Sequence, residues 1–198
     1  MEIYNSFQTS VKKALDEIDV NWPTYRGLII CGTHSPHDTE KMISRIKEAR
    51  ESGEPALLIC AGHQLGAIEY ARNVLGYSNA SHAEYDPSSD NLFITSLACS
   101  LRGKEMQLIF EENSKIAKIY GKTTSVENYY CNFGMNPEFV PLFQISDLKP
   151  TGADSEGKMR VVELVNHPFF IGTLFVPQIR STIESPHPVV TAFFKTII

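Results

Sequence analysis

The stretch Leu58-Ile59-Cys60-Ala61-Gly62-His63-Gln64 runs from apolar residues through a cysteine and two small residues into a helical pattern. Ala56 to Cys60 therefore predicts a short buried strand. From about Gln64 to Leu75, Ala67, Ile68, Ala71 and Val74 recur at helical spacing before Gly76. Upstream, Gly27-Leu28-Ile29-Ile30-Cys31-Gly32 is a second short apolar run and predicts a second buried strand. Between the two, Glu40 to Glu51 carries Met42, Ile43, Ile46 and Ala49 on one helical face, with Asp38 or Thr39 as cap and Gly53 and Pro55 beyond its end. Strand, helix and strand joined by short links form a βαβ unit, which is built as a right-handed crossover between parallel strands. The expectation is an α/β fold with a mostly parallel central sheet.

The rest of the chain extends that pattern. Val11 to Ile18 predicts a helix that Thr9 or Ser10 can cap before the Asn21-Trp22-Pro23 break. Alternating apolar residues from Asn91 to Tyr120 predict a small antiparallel appendage with hairpins around Arg102-Gly103-Lys104. Tyr120 to Pro150 reads as loop with short elements, Met159 to Val165 and Phe169 to Phe175 as strands, and Pro188 to Ile198 as a closing helix. A chain of 198 residues suits one domain spanning 1–198.

Bulk properties narrow the functional classes. A formal charge of −5 with dispersed Lys and Arg offers no basic stripe for a phosphate backbone, so no nucleic-acid partner is expected. No apolar run reaches the roughly 20 residues that cross a bilayer, and Met1-Glu2-Ile3-Tyr4 begins no leader pattern. The expectation is a cytoplasmic protein without a membrane partner. Cys31, Cys60, Cys99 and Cys131 form no CxxC pair, so neither a metal site, a cofactor nor a disulfide scaffold is signalled. A cysteine without a special setting is an inert, half-buried thiol.

Cys60 has such a setting. It sits where a buried strand turns into a helix, and there the free N–H groups and the helix dipole favour a thiolate. This is nucleophile-elbow geometry, in which the amide of the next residue can stabilise an oxyanion. Ala61 N–H would be that donor, and Gly32, in the loop Cys31-Gly32-Thr33-His34 after the neighbouring strand, would supply a second.

Cys60-Ala61-Gly62-His63-Gln64 followed by Glu69-Tyr70-Ala71-Arg72-Asn73-Val74-Leu75-Gly76 resembles the nucleophile motif and following helix of the class I glutamine amidotransferase domain of CTP synthases. Ala80-Ser81-His82-Ala83-Glu84-Tyr85-Asp86-Pro87, Asn136-Pro137, His167-Pro168-Phe169-Phe170 and Ser185-Pro186-His187-Pro188 resemble further family segments in the same order. The resemblance implies a three-layer, flavodoxin-like amidotransferase fold. It implies Cys60 as the nucleophile that attacks the side-chain amide of glutamine, Gly32 and Ala61 as oxyanion donors, and Gln64 and Glu84 as substrate-binding residues. The family's base and its orienting carboxylate sit in a Phe-His-Pro-Glu motif, where this chain reads Phe175-Val176-Pro177-Gln178. Leu58 stands for a glycine two before the nucleophile. Asn128-Tyr129-Tyr130-Cys131-Asn132-Phe133-Gly134 stands where the family has an arginine-rich run.

Two functional expectations follow. On the first, the chain is a free-standing, degenerate relative whose catalytic His and Glu are replaced by Val176 and Gln178. It then lacks ordinary glutaminase activity and binds a ligand such as glutamine or a related small molecule, or a partner such as an acceptor or synthetase protein in trans. On the second, it is an active amidohydrolase or amidotransferase in which Cys60 works with a relocated base, His34, His37 or His63. Tyr129, Tyr130 and Phe133 raise a third reading, a scaffolding surface, although such clusters are more often core.

Overall fold

The computed structural model describes residues 1–4, 8–16, 18, 25–32 and 38–198. The βαβ unit is formed as expected by β2 (Leu28–Ile30), α2 (Thr39–Ser52) and β3 (Ala56–Ile59), with β1 (Glu2–Tyr4) pairing parallel to β2. Asp38 takes the N-cap position without a side-chain cap bond, and Gly53 ends α2 at φ 75°, a left-handed conformation that favours glycine. The preceding helix α1 (Gln8–Asp16) begins before Thr9 and Ser10, which therefore lie inside it and do not cap it. The Asn21-Trp22-Pro23 break lies outside the described residues.

The main sheet has eight strands in the order β1-β2-β3-β11-β10-β9-β6-β7. β11 (Phe170–Thr173) is parallel to β3, whereas β10 (Met159–Leu164), β9 (Leu148–Asp154), β6 (Lys104–Phe110) and β7 (Thr124–Tyr129) continue antiparallel. Of the residues read from alternation, Met106, Leu108 and Phe110 thus lie in the main sheet, whereas Leu92 and Ile94 lie in the expected small appendage. A separate small sheet is made by β4 (Ser81–His82), β5 (Leu92–Ser96) and β8 (Phe133–Met135), so β5 and β6 do not form a hairpin around Gly103.

Strand alternation explains the layers. Leu28, Ile30, Ala56 and Leu58 face α2 and α3 (Ala61–Asn73), packing with Ile43, Ile46, Leu65 and Ile68. Ile29, Leu57, Ile59 and Ile171 face the other way, onto Val11 and Leu15 of α1 and onto Phe193 of α6 (Pro188–Ile197). On the first side Arg50 of α2 grips the fully buried Glu69 of α3 through both Nε and Nη2.

Two other readings change. Ile116 and Ile119, expected within the alternating run, belong to α4 (Lys115–Tyr120): their spacing of three puts them on one face of a helix and on opposite faces of a strand, Ser114 accepts from Ala117 N–H, and the Glu163 carboxylate accepts from the Lys115 and Ile116 N–H groups. The expected loop from Tyr120 to Pro150 contains β7, β8, a 3-10 turn (Pro137–Phe139), α5 (Val140–Gln144) and the start of β9.

The sheet curls at its far end. Tyr129, closing β7, meets Phe175 just beyond β11 in an isolated antiparallel bridge, and Val176 N–H donates to Asn128 O at 2.8 Å. That closure brings the segment after β7 to the end of β3, where Cys60 lies.

Candidate active site

Cys60 stands between β3 and α3 at φ 55° and ψ −108°, outside the regions a non-glycine residue normally occupies. Such a conformation costs on the order of 1–3 kcal/mol and persists only where its surroundings fix it. Here they do: Cys60 N–H donates to Thr173 O at 2.7 Å, and α3 starts at once with Ala61 rather than at Gln64. The close start needs small residues, because a Cβ on Gly62 would lie 2.2 Å from the carbonyl oxygen of Ile30. The elbow is thereby locked against the end of β2, where Gly32 is buried at φ 127°. The two backbone donors named from the sequence, Gly32 and Ala61, thus follow neighbouring parallel strands.

The Cys60 thiol is 7% exposed. Its Sγ reaches the Tyr130 carbonyl oxygen at 4.0 Å, and the thiol of the next residue, Cys131, donates to Leu174 O at 3.2 Å. The Cys131 contact and burial push the Cys60 thiol well up, against a downward pull from Ala61 N–H. Cys131 moves down because the Cys60 thiol, the Tyr130 amide and the Arg160 charge outweigh its burial.

Gln64 is not open to solvent: its Nε2 donates to Phe133 O at 2.8 Å and its Oε1 lies 3.1 Å from His82 Nε2. Glu84 N–H donates to His82 Nδ1 at 3.0 Å, which leaves the His82 proton on Nε2, facing Gln64. Burial lowers His82 to about 4, so this strut is neutral. The Glu84 side chain is exposed at the rim. Tyr85 stacks on His82 with ring centroids 4.6 Å apart; burial, then the nearby Glu84 and Cys60 charges, push its phenol up to about 12.

Of the three histidines named as replacement bases, His34 and His37 lie outside the described residues. His63 is fully buried and turned toward β11, its Nδ1 3.0 Å from where a Gly172 Cβ would stand. Neither ring nitrogen has a hydrogen-bond partner among the described residues, so His63 does not reach Cys60. Burial lowers it to about 4, only partly offset by the Gly172 backbone.

Val176 is fully buried in the same apolar cluster as Cys31, Cys60 and Cys131. Gln178, in a 3-10 turn (Pro177–Ile179), is 4% exposed with neither amide atom hydrogen-bonded among the described residues. Below Phe175, buried Glu127 accepts from Tyr120 and Ser125 and lies 3.1 Å from His187 Nε2, while His187 Nδ1 caps α6 at Val189 N–H. Burial alone would raise Glu127, but His187, Tyr120 and Ser125 hold it below the usual carboxylate range. Spacing alone points to neither Cys131 nor this clamp, since each joins residues brought together by the curl of the sheet.

A cleft of about 1120 Å³ lies elsewhere, lined by Lys115, Lys118, Lys149, Thr151 and Glu163 among others, and takes in none of the elbow residues. The described residues contain no group of three or more His, Cys, Asp or Glu side chains able to hold a metal ion, and no helix among them is long and apolar enough to cross a membrane.

The family model for glutamine amidotransferase class-I matches residues 4–196. The chain belongs to the class I glutamine amidotransferase family. Within it, this chain is similar to CTP synthases: that of Flavobacterium psychrophilum is 33% identical over 182 residues, covering 87% of this chain and 34% of that protein. That of Sulfolobus acidocaldarius is 33% identical over 200 residues, 94% of this chain and 37% of that protein. The chain thus spans about a third of the length of these relatives. Among solved structures, the glutaminase domain of Trypanosoma brucei CTPS with bound acivicin superposes with a TM-score of 0.81 at 22% identity, covering 86% of this chain and 70% of that one. A glutamine amidotransferase from Methylobacillus flagellatus gives 0.58 at 10% identity, covering 87% and 77%.

Proposed function

We propose that residues 1–198 form one amidotransferase-type domain that keeps the nucleophile position and ligand pocket of the CTP-synthase branch but does not hydrolyse glutamine by the family's route. The observation that carries this reading is Val176, fully buried among apolar side chains beside Cys60 at the place the resemblance gives to the base. Valine can neither take nor return a proton. Gln178, at the place of the orienting carboxylate, has no charge to offer. Losing a general base alone costs about 10² to 10⁴ in rate. With its thiol pushed up by burial and by Cys131, Cys60 is a poor nucleophile at neutral pH.

The role that remains is binding. Glutamine or a related small amide would be met by the Gly32 and Ala61 N–H groups on one side and by the Gln64–His82 pair, with Glu84 at its rim, on the other. An acceptor or synthetase protein in trans is the matching macromolecular partner. Tyr130, 42% exposed with the Arg102 guanidinium 4.8 Å over its ring, marks an aromatic and cationic surface beside the site.

The test is intact-mass analysis after treatment with the glutamine mimic 6-diazo-5-oxo-norleucine, beside a Cys60→Ala control. No adduct is expected on either chain. An adduct present only where Cys60 is present would show an activated thiol and point to His34 or His37 as its base.

A further inference from the structure

Sequence separation hides the closest chemical neighbour of the elbow cysteine. Cys60 N–H is tied to Thr173 O at 2.7 Å, and one residue further along the same strand extension Leu174 O accepts from the Cys131 thiol at 3.2 Å. From the other side, Cys60 Sγ reaches the carbonyl of Tyr130, the residue before Cys131. Thr173 and Leu174 therefore form a spine with one cysteine fixed to each neighbouring position. Both sulfurs are reduced, belong to one apolar cluster and are held to the same short backbone segments, Thr173–Leu174 on one side and Tyr130–Cys131 on the other.

We propose that Cys60 and Cys131 are a redox-active dithiol, a site at which a hydroperoxide converts two thiols into an intramolecular disulfide. The proposal goes beyond glutamine binding and does not depend on it. The neighbouring Cys60 thiol and the Tyr130 amide favour a thiolate at Cys131, with a smaller push from buried Arg160, whose Nε and Nη2 are held by Asp154. That thiolate attacks the O–O bond of the peroxide: the S–O bond forms, the O–O bond breaks, and the departing oxygen takes a proton to become water or an alcohol. The Cys60 sulfur then attacks the sulfenic sulfur, the S–S bond forms, and the oxygen leaves as water with the remaining protons. For hydrogen peroxide the balance is two thiols and one peroxide to one disulfide and two waters, the sulfurs giving up two electrons. The proximity of the two cysteines suits the second step, because a sulfenic acid formed beside a resolving thiol condenses with it to a disulfide. Closure would occupy the nucleophile and tie the segment after β7 to the elbow.

The experiment uses the full chain carrying Cys99→Ser, which removes the exposed thiol and leaves three of the four cysteines. The reduced protein is treated with one equivalent of hydrogen peroxide, unfolded in an alkylating agent, and read by intact mass and peptide mapping. Two of the three thiols should be lost together, with one linked peptide pair containing Cys60 and Cys131, and dithiothreitol should return both. Adding Cys131→Ser should abolish the linked pair and leave Cys60 unreacted or carrying added oxygen. The decisive reading comes from the chain with both cysteines, so it stands even if that variant folds poorly. Three free thiols after treatment, or a link from Cys60 to the neighbouring Cys31, would overturn the proposal. None of these readouts involves glutamine.

Discussion

Replacing His63 by Met tests how the imidazole beside the elbow is held. His63 is fully buried and lowered to about 4 from an ordinary 6.5, chiefly by burial. In the unfolded chain it takes a proton as the pH falls through 6.5; in the folded chain it resists until about 4. Between those values the unfolded state binds more protons, so stability is full above 6.5 and falls with pH across the window. At about pH 5 the folded state loses roughly 2 kcal/mol relative to about pH 7.5 from this group alone. For a chain of this size that is about 4–8 °C in melting temperature. Met has similar bulk and no titrating proton, and it fills the space against Gly172 without unpaired ring nitrogens. Thermal melts of both proteins at the two pH values isolate the effect, since every other group titrates in each. The drop between pH values should be smaller for His63→Met by about 2 kcal/mol. Equal drops would mean that His63 is charged and partnered in the fold, and the reasoning about its burial would fail.

Gly62→Ala should destabilise the fold by about 2 kcal/mol or more in urea titration, because the 2.2 Å approach to Ile30 O involves backbone and outweighs the roughly 1 kcal/mol gained in helix propensity. Glu127→Gln should cost about 2 kcal/mol at neutral pH by weakening charge-assisted bonds to His187, Tyr120 and Ser125. Because the Glu127 carboxyl is depressed, its contribution is present above the ordinary carboxylate value and is lost as pH falls through the folded value, so the variant's deficit in melts should shrink in acid. Glu69→Ala should cost about 3–5 kcal/mol by stranding Arg50 against α3, without changing peroxide linkage of Cys60 and Cys131.

The half of the fold built from local signals was legible. Gly27 to Gly32 and Ala56 to Cys60 are apolar runs bounded by breakers, and Met42, Ile43, Ile46 and Ala49 define one buried helical face. What could not be read depends on pairing between distant residues. Nothing near Tyr129 announces Phe175, and α4 is only six residues long, too short for the helical spacing of Ile116 and Ile119 to stand out from the alternating run before it. The same divide runs through the site. Cys60 declares itself because strand, cysteine and small residues are contiguous, and Gly62 is explained by one close approach. Cys131 and His187 act only through the curl of the sheet. Gln64, expected to meet a ligand, has its amide engaged by Phe133 and His82, the latter from β4, a two-residue strand too short for alternation to outline. His63, one helical turn from Cys60, faces the sheet instead, which helical spacing alone does not decide.

The central claim is the loss of the family's glutaminase chemistry beside a retained nucleophile position. It is tested most directly by the rate of ammonia release from saturating glutamine, compared between the native chain and Cys60→Ala. The account predicts that the two are indistinguishable from each other and from buffer. Ammonia release that depends on Cys60 would contradict it.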